Sequence, residues 1–194
     1  MHVALDAAGN LYIADHAAGV IAKVTLAGAL SIIAGGGGTS GPFDTPTPAT
    51  DLSIDPWSVA VDSKGNLYVA DYSGCFVTKI DTTGTATNLT GTGSCGSPTA
   101  GPAAADVGEV HHLSVDATDN LYIADYYERV AEKVTPTGVL SVIGNGNSGP
   151  PAYNGPVSTS PLGRGNAAGV IYFANADNHT IDRIGRKPPA PPAT

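Results

Sequence analysis

The chain has 194 residues, 42% apolar and only 13% charged, with 25 Gly and 15 Pro. So little charge and so many turn residues point to short strands joined by turns, in a domain long enough to bury a sizeable core. Nine Lys and Arg against 17 Asp and Glu leave a net charge of −8, which argues against nucleic acid as a partner, because that needs a basic face to displace counterions.

In chain order, an inner strand begins at His2 and runs into Asp6-Ala7-Ala8-Gly9-Asn10-Leu11-Tyr12-Ile13-Ala14-Asp15. The same ten-residue pattern returns at 62–71 and 116–125, and in degraded form at 166–175. Tyrosines therefore stand at 12, 68, 122 and 172, a basic residue keeps register at Lys23, Lys79, Lys133 and Arg183, and Gly28, Gly84 and Gly138 repeat as well. Each unit reads as four short strands. The first is apolar and ends in Asp, as in residues 57–62. An Asp-x-x-Gly-Asn turn follows, in which Asp bonds its own backbone and Gly or Asn accepts a positive φ. The second strand is Asn-Leu-Tyr-x-Ala-Asp; a third, such as 75–80, leads through a Gly turn to a fourth, such as 30–34 or 139–143. Four antiparallel strands at a period near 50 describe propeller blades, and nothing has a sustained helical period.

The blade units fall at about 1–36, 56–91, 110–144 and 161–185, with a Pro-rich tail at 186–194. Gly/Pro/Thr-rich connections at 35–56, 91–110 and 144–160 exceed ordinary loop lengths and are expected to be binding loops or excursions over one face. No apolar run approaches the ~20 residues that span a bilayer. The N-terminus lacks the basic and apolar regions of a signal peptide.

Pro56-Trp57-Ser58-Val59-Ala60-Val61-Asp62, the Gly-Asn-Leu-Tyr-x-Ala-Asp cores and Asp177-Asn178-His179-Thr180-Ile181-Asp182-Arg183-Ile184 resemble the NHL-repeat family of β-propellers. Gly144-Asn145-Gly146-Asn147-Ser148-Gly149 is similar to the inter-blade loop of its secreted bacterial members. The resemblance implies an all-β propeller with four NHL-like four-stranded blades, whereas such propellers usually carry six, sometimes five. The four blades are therefore expected to form a compact ring, a part of a larger propeller, or half of a homodimer closed through open blade edges, the ring being least favoured.

In a propeller blade, Cys75 and Cys95 fall at one face of blade two, where a disulfide is geometrically reasonable and suits a secreted or periplasmic protein. At that face the start of strand one aligns His2, Ser58 and His112, and the end of strand two aligns Asp15, Asp71, Asp125 and Asn175. His2 and His112 are expected to point into the central channel. There they are candidate ligands for Zn or Ca, since the resemblance includes amidating lyases that take zinc-ligating histidines from alternate blades. Two imidazoles alone fall short of the three or four protein ligands of a zinc site. Asp71 and Asp125 with His112 form a candidate acid–base set, although an Asp recurring in every strong copy also suits turn capping.

Trp57, Tyr72, Tyr126 and Tyr127, with His16, His111 and Tyr153 near them, form a candidate aromatic binding surface, because rings with a polar tip favour recognition and stack on sugars or cations. No nucleophile-elbow, zincin or phosphate-loop motif is present. Two functions remain open: an extracellular or periplasmic module binding a protein, peptide or glycan on its loop-rich face, and an enzyme at the channel mouth, either a metal-assisted lyase or a hydrolase of lactones, esters or glycosides.

Overall fold

The computed structural model describes residues 2–102, 106–125, 128–144, 164–168, 170–175 and 180–184, with backbone alone for the last three stretches. Blade one is the meander β1 (His2–Leu5), β2 (Leu11–Asp15), β3 (Val20–Val24) and β4 (Leu30–Gly35). The connection that follows contains β5 (Thr39–Ser40), β6 (Thr47–Pro48), a 3-10 turn at Ala49–Asp51 and β7 (Leu52–Ser53). Blade two is β8 (Pro56–Val61), β9 (Leu67–Asp71), β10 (Phe76–Ile80) and β11 (Thr85–Thr90). After β12 (Gly101–Pro102), blade three is β13 (Val110–Val115), β14 (Leu121–Asp125), β15 (Val130–Val134) and β16 (Val139–Ile143). The last described sheet is β17 (Arg164–Ala168), β18 (Val170–Asn175) and β19 (Thr180–Ile184).

The structure departs from four equal strands per blade. The first two connections are not free loops, while the third, expected at 144–160, lies outside the described residues beyond Gly144. β5 and β7 pair in parallel, β6 adds a fifth strand outside β11, and β12 does the same outside β16. Phe43, Ala49, Leu52 and Ile54 of the first connection are buried with Phe76, Ile80 and Ala86 of blade two, so apolar side chains fix its path. Val107 of the second is buried at the junction of blades two and three.

The repeated motif folds for a local reason. Asp62 Oδ1 accepts from the N–H groups of Lys64 and Asn66, while its Oδ2 accepts from Asn66 Nδ2 and the Tyr68 hydroxyl. The same knot joins Asp6, Asn10 and Tyr12, and again Asp116, Asn120 and Tyr122. Lys23, Lys79 and Lys133 sit 5.4, 5.9 and 5.8 Å over the tyrosine rings of their own blades, a favourable cation–π placement. Burial opposes the Asp116 charge, but hydrogen bonds from Asn120 and Thr118 outweigh it and hold its pKa down at about 2. Burial, then the Asp116 charge, pushes Tyr122 up to about 12. The turn thus closes around a carboxylate that stays ionised.

Blades pack face to face. Tyr12 and Ala14 of blade one are buried with Val59, Leu67 and Val69 of blade two. One blade further on, Tyr68 and Ala70 are buried with Leu113, Leu121 and Ile123. The inner strands β1, β8, β13 and β17 lie side by side in that order, which brings the equivalent first-strand residues of successive blades together.

Candidate functional site

At the start of the inner strands the register slips by one residue. Pro56 and Ser58 pair with Asp71 and Ala70, leaving Trp57 as the extra residue of a β-bulge. Val110 and His112 pair with Asp125 and Ala124, leaving His111 in the same position one blade on. A bulge re-aims a side chain out of the strict alternation of a strand. Here it turns Trp57 and His111 toward the residues that follow the second strands, His16 after β2 and Tyr72 after β9.

The result is an aromatic arc across three blades. The Trp57 and Tyr72 rings stack at 4.7 Å, with an interplanar angle of 27°. His16 meets Trp57 edge-on at 5.1 Å, and His111 approaches Trp57 at 5.8 Å and Tyr72 at 5.4 Å. Trp57 and Tyr72 are half-buried, His16 is exposed and His111 is buried. Each histidine has a carboxylate neighbour: His16 Nδ1 pairs with Asp55, and His111 Nε2 lies 3.6 Å from Glu109. The connection entering blade two is tied to the arc, because Tyr72 N–H donates to the Asp55 carbonyl and Asp55 N–H donates to Asp71 Oδ2. Tyr126, Tyr127 and Tyr153, expected on the same surface, lie outside the described residues.

Beside the arc, the inner strands line a groove of about 410 Å³ whose walls include His2, Val59, Val61, His112 and Leu113. The expected pair is brought together, with the His2 and His112 rings 4.3 Å apart and nearly perpendicular. Ser58 joins them to blade three: its Oγ accepts from Leu113 N–H and lies 3.2 Å from His2 Nδ1, to which it can donate. The same His2 nitrogen lies 3.1 Å from the Val59 carbonyl and 3.3 Å from Val59 N. Burial lowers the pKa of both rings, most for His112, which falls to about 4 with the His2 charge adding to the effect. Both are neutral at pH 7.

The carboxylates expected near this pair end the second strands, where they cap the turns that follow, and they do not line the groove. Asp15, Asp71 and Asp125 each accept, through Oδ1, from the N–H three residues on, at Ala18, Gly74 and Glu128. Burial raises the Asp71 pKa, with the hydrogen bonds from Asp55 and Gly74 opposing it. Among the described residues a zinc or calcium ion finds too few ligands beside the histidine pair. The groove offers two imidazoles, His2 Nδ1 is already engaged, and no three His, Cys, Asp or Glu among the described residues are grouped to hold a metal. Cys75 and Cys95 are disulfide-bonded, with Cα atoms 5.1 Å apart, and tie the turn after β9 to the connection toward blade three.

Asp55, Glu109 and the bridging role of Ser58 are not evident from motif reading. Their one sequence signal is position, since Ser58 aligns with the two histidines and Asp55 and Glu109 each precede a bulge residue by two.

The NHL repeat model matches residues 54–80. No curated protein matches the chain. Among solved structures, a protein of unknown function from Bacteroides thetaiotaomicron is similar at 18% identity and TM-score 0.71, over 94% of this chain and 46% of its own. An auxiliary nutrient binding protein from Bacteroides ovatus is similar at 15% and 0.68, over 95% and 47%. A virginiamycin B lyase from Staphylococcus aureus is similar at 13% and 0.59, over 94% and 50%. The chain thus spans about half the length of these structures, and at such identities the likeness is one of fold. Among the described residues no helix is long and apolar enough to cross a membrane. With the NHL repeat matched in blade two and its Asp–Asn–Tyr pattern recurring along the sequence, the described sheets are blades of a β-propeller fold, the second of which carries an NHL repeat.

Proposed function

We propose that the chain is an exported recognition module that binds a protein, peptide or glycan on its loop-rich rim, centred on the arc of His16, Trp57, Tyr72 and His111. The observation that carries this reading is the use of two β-bulges to gather aromatic side chains from three blades onto one partly exposed surface. Such a surface joins large apolar area to polar tips, the composition found at binding hot spots. A saccharide fits it best: one apolar ring face stacks on an aromatic, while hydroxyls donate to the Asp55 and Glu109 carboxylates. The Cys75–Cys95 disulfide supports an oxidising compartment, secreted or periplasmic. The similarity to nutrient-binding propellers lends the reading a precedent in fold. The groove has less to offer the enzymatic alternative, because its histidine pair stands apart from Asp71 and Asp125.

The test is a binding screen of the purified chain against a panel of saccharides and peptides, repeated with Trp57→Ala and Tyr72→Ala. Truncating a hot-spot aromatic removes about 2 kcal/mol, roughly thirtyfold in affinity. Trp57→Ala is expected to lose that much while keeping the wild-type circular dichroism. A ligand bound equally well by both variants would overturn the rim as the site.

A further inference from the structure

The aromatic arc has a carboxylate on either side: Asp55 pairs with His16 Nδ1, and Glu109 lies 3.6 Å from His111 Nε2. Asp15 and Asp71 end the second strands at the same end of the blades. The cations stand elsewhere. Lys23, Lys79 and Lys133 lie toward the far ends of β3, β10 and β15, and Lys64 lies in the turn between β8 and β9, also at the far end. Among the residues with described side chains, Arg129, in the turn after β14, is the one Lys or Arg at the end that carries the arc.

The lysines show what completes such a set. In three blades an ammonium sits 5.4, 5.9 or 5.8 Å over a tyrosine ring, and the hydroxyl of each of those tyrosines donates to an aspartate. Ammonium, aromatic face and carboxylate thus occur together at one end of the blades. At the other end Trp57 and Tyr72 stand beside Asp55 and Glu109 without the ammonium. We infer that the ligand supplies it: the saccharide bound at the rim is a basic one, with a free amino group on a sugar ring that stacks on the aromatics. This rests on the proposed recognition function and narrows its ligand class. A carboxylate only accepts hydrogen bonds, whereas an ammonium offers three charged donors. A hydroxyl at the same carbon offers one uncharged donor, and an acetylated amine adds a carbonyl that the carboxylates repel. A cation near an aromatic face gains a further attraction that neutral sugars lack.

The experiment titrates the chain with tetrasaccharides of glucosamine, N-acetylglucosamine and glucose in the same linkage, at neutral pH and low salt. Calorimetry gives the affinities, and the fluorescence of Trp57, the only tryptophan, reports on the arc itself. The glucosamine form is expected to bind about tenfold tighter than either neutral form, and to lose that margin as salt screens the charges. Asp55→Asn combined with Glu109→Gln is expected to bring the ratio of affinities close to one. The backbone N–H and carbonyl of residue 55, which anchor the connection, are untouched by that change. Asp119→Asn removes a like charge from the turn after β13, at the far end of the blades, and leaves the ratio as it is. Equal binding of the three sugars, weakened throughout by Trp57→Ala, would overturn the basic ligand and leave the rim standing as the site. A margin that survives Asp55→Asn with Glu109→Gln, or binding of a lysine-rich peptide and none of the sugars, would overturn it as well. Glucosamine binding that ignores Trp57→Ala and leaves its fluorescence unchanged would overturn the rim itself.

Discussion

Glu132 has the environment least suited to its chemistry. It is wholly buried in β15 opposite Ile123 and Val142, and neither carboxylate oxygen has a hydrogen-bond partner. The equivalent residues in blades one and two are Ala22 and Thr78. Burial first, and the nearby Asp125 charge second, raise the Glu132 pKa well above the ordinary carboxylate value. A group whose pKa rises on folding contributes stability that is complete below its unfolded pKa and is lost as pH climbs through the folded value. The wild type is therefore expected to lose stability toward alkaline pH. Glu132→Gln removes that slope, because a neutral amide in the same place has no charge to desolvate, and is expected to be the more stable of the two at alkaline pH. Urea unfolding at mildly acidic and mildly alkaline pH checks this, and parallel behaviour of the two proteins would contradict it.

Among the elements, the Asp–Asn–Tyr turns were the most legible part of the molecule. Asp, Asn and Tyr stand at fixed spacing in three copies, and the knot needs nothing outside its own blade. The bulges were not legible as such. One extra residue leaves composition and period almost unchanged, so Trp57 and His111 could be seen to share a position but not to be turned out of the sheet. The two-residue strands β6 and β12 are too short for a periodic signal and form because β11 and β16 offer an edge. The disulfide acts at this scale too. It closes a 20-residue separation, for which chain-entropy arguments give about 3 kcal/mol. Cys75→Ser and Cys95→Ser are each expected to lower unfolding stability by about that amount, and reductant should do the same to the wild type. Unfolding midpoints that ignore both treatments would show that the link between the turn and the connection carries no stability.

In the whole molecule, blades one and three meet at His2 and His112 over the blade-two residue Ser58. Both imidazoles are neutral in the fold, and His112 is held at about 4 against an ordinary value of 6.5. Because this pKa is depressed, its stability contribution is complete above about pH 6.5 and is lost as the pH falls toward 4. Acidification across that window should lower the melting temperature by a few degrees, and His112→Asn should flatten the dependence. A melting temperature equally acid-sensitive in the variant would place the cause elsewhere. The arc of blades could be anticipated from the repeat count; the contact between the two histidines could not, because it depends on how far each inner strand leans toward the channel.

The outer strands β6 and β12 bear on how such a protein is made. Every strand of blade two lies within residues 47–90, and every strand of blade three within 101–143. The short outer strand of each is synthesised before the four strands that it flanks. A blade emerging from the ribosome therefore holds all its own strands once its fourth is out, and waits for nothing translated later to finish its sheet. The heritable module is accordingly the connection together with the blade after it, so a duplication or excision that respected this boundary would begin near residue 37 rather than at residue 56.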